Sequence, residues 1–344
     1  MPRSSKIEFD KYMAQSRVFI LGAGFSASAG IPLTSDLLRN SMRMFEVECN
    51  GIFQRVEGYA KDLQWQTDGK PDFSQVSFSD LCTHLEFVEL NEFAGGERWS
   101  NVGSREKLAL RFYLAKCIAA VTPQADAIPN LYIEFAKQLH DRDFVISFNW
   151  DCLLELAILR VGKTYNYNFG DQRIRLIKPH GSINWRLNEP ENLGVPSNTL
   201  QWRPIGFARG LIEQEIWHTE RLLNGPAWDR YQPLGEVKPF LVLPGYGKAF
   251  DVRSNATLWY RPGFAFMASR DIYIVGLGLA EDDHFVRSFF LNSLPVGNRQ
   301  IFIINPDKRA SENYAFTLQS KNSVLLNEGF SLNHVSMMRE RLKI

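Results

Sequence analysis

The sequence predicts an α/β fold: a Rossmann-like, doubly wound parallel sheet carrying an inserted helical module. Short apolar, β-branched runs recur along the chain, each closing on Gly, Asn or Pro. Runs of that length without polar alternation suit strands buried on both faces, as in parallel sheets. Several are followed by stretches of helical pattern, among them residues 151–160 and 282–294, and strand–helix alternation marks parallel strands joined by crossovers. The first run also passes straight into a glycine-rich turn, Gly22-Ala23-Gly24-Phe25-Ser26-Ala27.

Taken in order, residues 17–21 form the opening strand. Residues 34–140 then read as mostly helical, most clearly 104–120, with its apolar face, and 128–139, opened by Pro129. Proline suits a first helical turn because its φ is already set and its missing N–H would have no partner there. Buried parallel strands are expected at 144–147, 174–177, 240–243, 272–275, 301–304 and 324–326. A segment with Trp202, Trp217, Trp228 and several Pro and Gly has no clean period, and no structure is read from it. The expectation is one domain over 1–344, with a core of about 15–35, 141–187 and 238–330, a helical module of about 36–140, and an insertion of about 188–237.

Composition excludes several classes. A chain of 344 residues with 45% apolar and 22% charged residues is ordinary for a globular protein and builds a substantial core. Lys plus Arg is 39 and Asp plus Glu 38, a net charge of +1, so bulk charge gives no signal for direct nucleic-acid binding. No apolar run reaches the length of a membrane span, and the polar N-terminal stretch lacks the apolar centre of a signal peptide. Cys49, Cys82, Cys117 and Cys152 lie more than thirty residues apart with no CxxC pair. That argues against a cysteine-rich zinc site and a disulfide framework, and for a cytoplasmic protein with reduced thiols and no metal.

The residues that carry chemistry gather at expected strand ends, where open α/β sheets build their sites. Gly22, Gly24 and Ala27 fit the G-x-G-x-x-G/A spacing, whose glycines and free N–H groups accommodate a pyrophosphate; Ala23 lies in the turn and Ser26 adds a hydroxyl. No acidic residue about 20 positions on stands at the end of a second strand, as a dehydrogenase would need. Asn149 and Asp151 follow the second strand, where Asp151 equally suits a helix N-cap. His180 is the one of six histidines placed just beyond a strand and beside a glycine, a position suited to proton transfer near neutrality and equally to a structural turn. Gly276 and Gly278 give a later glycine-rich edge, followed by Asp282 and Asp283 as helix caps; Asn305 and Asp307 form a polar pair able to hold a ribose hydroxyl or simply make a turn.

Together these segments resemble the sirtuin family. GAGFSASAGIP looks like its opening nucleotide loop, FNWD like its asparagine–aspartate motif, and KPHGSINW like its catalytic histidine loop. VGLGL and INPD resemble the segments that bind the adenosine half, and LVLPGYGK, with Lys248, resembles a strand and lysine of the bacterial sirtuin-like branch. The order matches from about residue 17 to 305. Two departures stand out: Leu33-Thr34-Ser35 replaces the Asp-Phe-Arg of sirtuin deacylases, and no cysteine lies between His180 and Gly276, where they carry two CxxC zinc pairs.

The resemblance implies NAD⁺ as substrate and no zinc. It implies an NAD⁺ hydrolase of the zinc-less anti-phage branch, with a protein deacylase or a non-catalytic nucleotide-binding assembly subunit as alternatives. Within it His180 is the general base, and Asn149 holds the nicotinamide ribose and the attacking water. Asp151 fixes the Asn149 loop or supports developing positive charge. Gly22, Ala23, Gly24 and Ser26 take the pyrophosphate; Gly276, Gly278, Asn305 and Asp307 take the adenosine half. It further implies a homo-oligomer gated by a separate partner, such as a DNA-translocase-type ATPase or a short Argonaute-type protein.

Overall fold

The computed structural model describes residues 16–65, 68–90, 105–167, 173–186, 198–199, 217–218, 239–246, 248, 258–259, 262–279, 283–293, 300–318 and 322–342. Most of the 188–237 insertion, with Trp202 and Trp228, lies outside them, as do Ser104 and Asp282.

Among the described residues, seven parallel strands form the main sheet. They are β1 (Ser16–Leu21), β2 (Phe144–Ser147), β3 (Tyr165–Asn166), β4 (Ile174–Ile177), β9 (Ser269–Val275), β10 (Gln300–Ile304) and β11 (Ser323–Leu326), in the order β11-β10-β9-β1-β2-β4-β3. β1 is central because all six of its residues are buried, which requires cover on both faces. Val18 stands opposite Phe144 of β2 and Ile272 of β9. From β1 the chain builds outward in one direction through β2 and β4, then returns to build the other way through β9, β10 and β11. That reversal leaves a crevice beyond the carboxyl ends of β1 and β9.

Helices α6 (Asn130–Gln138) and α7 (Leu153–Arg160) pack together, and α6 also packs on α11 (Leu332–Arg341). Beside β9 to β11 lie α8 (Pro262–Ala268), α9 (His284–Ser293) and α10 (Lys308–Leu318). At the amino end of β1, far along the strands from the crevice, Arg17 is held in a buried fork. Its Nη2 and Nε reach the two oxygens of Asp143 at 2.5 and 3.1 Å, and Nη2 also donates to the Gln138 carbonyl at 2.8 Å.

Among the described residues, four helices form the inserted module: α2 (Thr34–Glu48), α3 (Asn50–Leu63), α4 (Phe78–Leu90) and α5 (Arg105–Val121). The sequence suggests one apolar face for α5, yet the helix is buried almost all round. Helices α2, α3 and α4 cover part of it and the second sheet covers another part. Two of its buried charges pair with neighbouring helices, Glu106 with Arg55 at 2.6 Å and Lys107 with Glu86 at 2.9 Å.

Residues 240–243, expected as a parallel strand of the main sheet, belong elsewhere. β8 (Pro239–Leu241) pairs antiparallel with β5 (Gly181–Arg186) in a four-stranded sheet completed by β6 (Asn198–Thr199) and β7 (Trp217–His218), in the order β6-β7-β5-β8. A short apolar run records burial but not strand direction. β5 begins immediately after His180, where the sequence suggests a loop.

Candidate active site

The glycine turn follows β1 as a single helical turn, α1 (Ala23–Ser26), continued by a 3-10 turn, Ala27–Ala29. Its glycines are required by the protein itself. A Cβ on Gly22 would stand 2.3 Å from Leu277 Cα, and one on Gly276 would stand 2.3 Å from the Phe25 nitrogen. The two glycine-rich ends are thereby pressed together and locked by backbone hydrogen bonds, Gly22 N to the Val275 carbonyl at 3.0 Å and Gly24 N to the Gly276 carbonyl at 2.8 Å. Tyr132 of α6 steadies the turn from behind, donating to the Phe25 carbonyl at 2.8 Å.

Asn149 joins β2 to this turn. Its amide nitrogen donates to the Gly22 carbonyl at 2.8 Å and to the Ser26 hydroxyl at 3.1 Å. Both amide protons are therefore used within the protein, and Oδ1 is the atom of that side chain left to accept from a ligand. The N-cap of α7 is Cys152 rather than Asp151; Asp151 stands one residue earlier and accepts from the Leu153 N–H at 2.9 Å. Burial pushes its carboxyl up, against the opposing pull of Lys178.

Lys178 lies fully buried behind the site and staples its two loops. Its ammonium donates to the Asp151 carbonyl at 2.5 Å, to Ser182 Oγ at 2.7 Å and to Glu155 Oε1 at 2.9 Å. Burial opposes its charge, but Glu155 and its other acidic neighbours outweigh that and raise its pKa. Glu155 also accepts from Tyr167, which in turn accepts from Asn184 of β5. The Trp150 indole closes the arrangement by donating to the His180 carbonyl at 2.9 Å. Neither Lys178 nor Glu155 was singled out from the sequence; their pairing exists only once α7 lies against β4.

His180 packs among Phe148 and Trp259, ring centroids 4.9 and 5.5 Å away, and its side chain is 14% exposed. Gly181, at φ +80°, turns the chain away at once, since a Cβ there would meet the Phe240 carbonyl at 2.1 Å. Nε2 has no hydrogen-bond partner among the described residues. Burial above all, then the nearby Lys248 charge, lowers the imidazole pKa to about 3, while Asp283 and a hydrogen bond to the Phe148 backbone oppose the shift. The ring is neutral at physiological pH.

These parts line one cavity of about 560 Å³, within the usual range for a small-molecule site. Gly22, Ala23, Asn149, Asp151, His180 and Gly278 face it. The helical module closes another side with Leu37, Phe78 and Asp80, and Tyr246 lies at its edge, its N–H bound to Thr83 Oγ1 at 3.1 Å.

Other expected residues lie apart. Ser26 and Gly24 stand behind the lining, bonded to Asn149 and packed on Gly276. Asn305 spends its side chain on the fold, donating to the Leu277 carbonyl at 3.1 Å and accepting from the Asp307 N–H at 3.0 Å. Asp307 accepts from the Arg309 N–H at 2.9 Å at the start of α10, and neither residue lines the cavity. Lys248, Asp283 and His284 do line it. Among the described residues no three His, Cys, Asp or Glu side chains gather as a metal site, and all four cysteines are free thiols.

No protein-family model matches this chain, and no curated protein matches it. Among solved structures, the crystal structure of a Sir2 homolog–NAD complex aligns with a TM-score of 0.46 at 12% sequence identity, over 98% of this chain and 94% of that one.

Proposed function

We propose that this chain is an NAD⁺ glycohydrolase, cleaving the nicotinamide–ribose bond to give nicotinamide and ADP-ribose. One observation carries the reading: the Asn149 amide, the Gly22 turn and a neutral imidazole with an unshared Nε2 converge on a single cavity. These are also the residues of the sirtuin resemblance.

The pyrophosphate is assigned to the Gly22–Ser26 turn and the nicotinamide ribose to Asn149 Oδ1. The C–N glycosidic bond breaks with its electron pair leaving on neutral nicotinamide, so no general acid is needed. The sugar carbon passes through an oxocarbenium-like state, as in other glycoside cleavages. Water then adds to that carbon as a strongly acidic oxonium, whose proton passes to His180 Nε2 and on to solvent. A dissociative step demands little base strength, and the weakly basic His180 serves chiefly by holding the water through Nε2. The aromatic wall of Phe148 and Trp259 excludes other solvent.

In the same reading the chain is a cytoplasmic effector of anti-phage defence whose depletion of NAD⁺ arrests the infected cell. Such an activity needs gating, assigned here to self-association and to a partner of the DNA-translocase ATPase or short Argonaute type. The test is NAD⁺ loss in cells carrying the wild type, Asn149→Ala or His180→Ala, with and without the genomic neighbour and phage, with chromatography of the products. Nicotinamide release abolished in both variants is expected. Equal release by a folded variant, or steady NAD⁺ throughout, would overturn the assignment.

A further inference from the structure

Asp283 Oδ2 lies 4.0 Å from His180 Nε2, close enough to place a proton on the imidazole and too far to hydrogen-bond it. The same carboxylate is already engaged. Lys248 donates to both of its oxygens at 2.8 Å, and the Val286 N–H binds Oδ1 at 3.1 Å. Lys248 is buried, its ammonium 5.5 Å from the Trp259 ring centroid, and that ring also packs on His180. The imidazole therefore faces a closed ion pair from α9 and the segment after β8. The other titratable groups lining the cavity are Asp151 beyond β2, Asp80 of α4, Tyr246 and His284.

We infer that Lys248 is a positioning residue whose ion pair with Asp283 neutralises the carboxylate facing His180, so that Nε2 keeps its lone pair for the attacking water. The catalytic half of this inference rests on the NAD⁺ hydrolase reading; the charge balance itself does not. Without Lys248, the uncompensated Asp283 would favour imidazolium, which has no lone pair to offer. Burial and the Lys248 charge already hold the imidazole low, while Asp283 acts the other way.

Two readouts separate the parts. The first is NMR titration of the His180 ring in the full chain, which needs no turnover. Lys248→Met should raise the His180 midpoint by about one unit or more, and Lys248→Met/Asp283→Asn should bring it back down. The second is the pH profile of kcat/KM with NAD⁺. In Lys248→Met the acid limb, falling about tenfold per pH unit below the His180 midpoint, should move up in pH with that midpoint, and in the double variant it should return to the wild-type position. If Lys248→Met does not fold, Asp283→Asn is titrated alone and should leave the midpoint at or below that of the wild type. An unchanged midpoint in folded Lys248→Met, or a rise in Asp283→Asn, overturns the inference. Correct midpoints without NAD⁺ turnover would remove the hydrolase reading and leave the charge balance standing.

Discussion

The amide nitrogen of Asn149 binds the Ser26 hydroxyl at 3.1 Å, so the end of β2 and the glycine turn after β1 are one rigid unit. Replacing Asn149 by Ala removes this bond, the bond to Gly22 and the Oδ1 acceptor together. Turnover should fall by about 10²-fold or more, as expected when a positioning contact is lost. Ser26→Ala removes the bonds to Asn149 and to the Asp151 carboxyl but leaves the Asn149 Oδ1 acceptor in place, and should cost about tenfold, the loss of one or two net hydrogen bonds. Steady-state kinetics of the two purified variants checks the ranking, which reverses if Ser26 is the ligand-bearing group.

Glycine positions should divide by packing rather than by motif. Gly22→Ala forces a methyl onto Leu277 and should cost about 1–3 kcal/mol or more. Gly278 has open space around it and lines the cavity, so Gly278→Ala should melt like the wild type while changing nucleotide affinity. Thermal melts with and without NAD⁺ decide both.

The Arg17–Asp143 pair tests stability apart from chemistry. Asp143→Ala leaves a buried guanidinium without its carboxylate and should lose about 3–5 kcal/mol. Because the pair sits at the amino end of β1, the folded fraction should retain the wild-type KM. Urea titration followed by kinetics below the midpoint measures the two separately.

His180 sets two pH dependences. Its pKa is lowered from 6.5 to about 3 in the folded chain. Between those values the unfolded chain binds the extra proton, so this contribution to stability is fully present above the unfolded pKa and is lost as pH falls toward about 3. Unfolding titrations of the wild type against His180→Gln should diverge on acidification, by a few kcal/mol at about pH 4. For activity the sign is the same: the imidazole stays neutral from about pH 5 to about pH 8, so kcat/KM should show no histidine inflection near neutrality. An inflection near the ordinary histidine value would mean that the imidazole is not buried as described.

Much of this was legible in the residues, for physical reasons. β1 could be read because burial on both faces leaves an unbroken apolar run. Asn149 and His180 could be read because each follows such a run, where sheet chemistry collects. β3 is two residues long and carries no period. β5 escaped because Ser182 and Asn184 look like loop residues. Both are fully buried, Ser182 bonded to Lys178 and Asn184 to Tyr167, and only the assembled fold supplies those partners. The glycine turn was found, but its spacing reports contact with residues 276–277 as much as room for a ligand. Asp283 could be read as a helix cap, which it is; its place before the imidazole required residues 35 positions apart to meet through Lys248.

β4 and β5 are separated by only Lys178, Pro179 and His180, yet they belong to different sheets. The imidazole is therefore mounted on the seam. One side of its backbone is anchored in the seven-stranded sheet that carries Asn149. The other enters β5 through a glycine that tolerates no side chain. Both sides also grip its carbonyl, the Trp150 indole at 2.9 Å and the Val242 N–H at 2.8 Å, so the aim of the ring is fixed by how the two sheets meet. The catalytic geometry is thus a property of the joint between the sheets and not of either sheet alone.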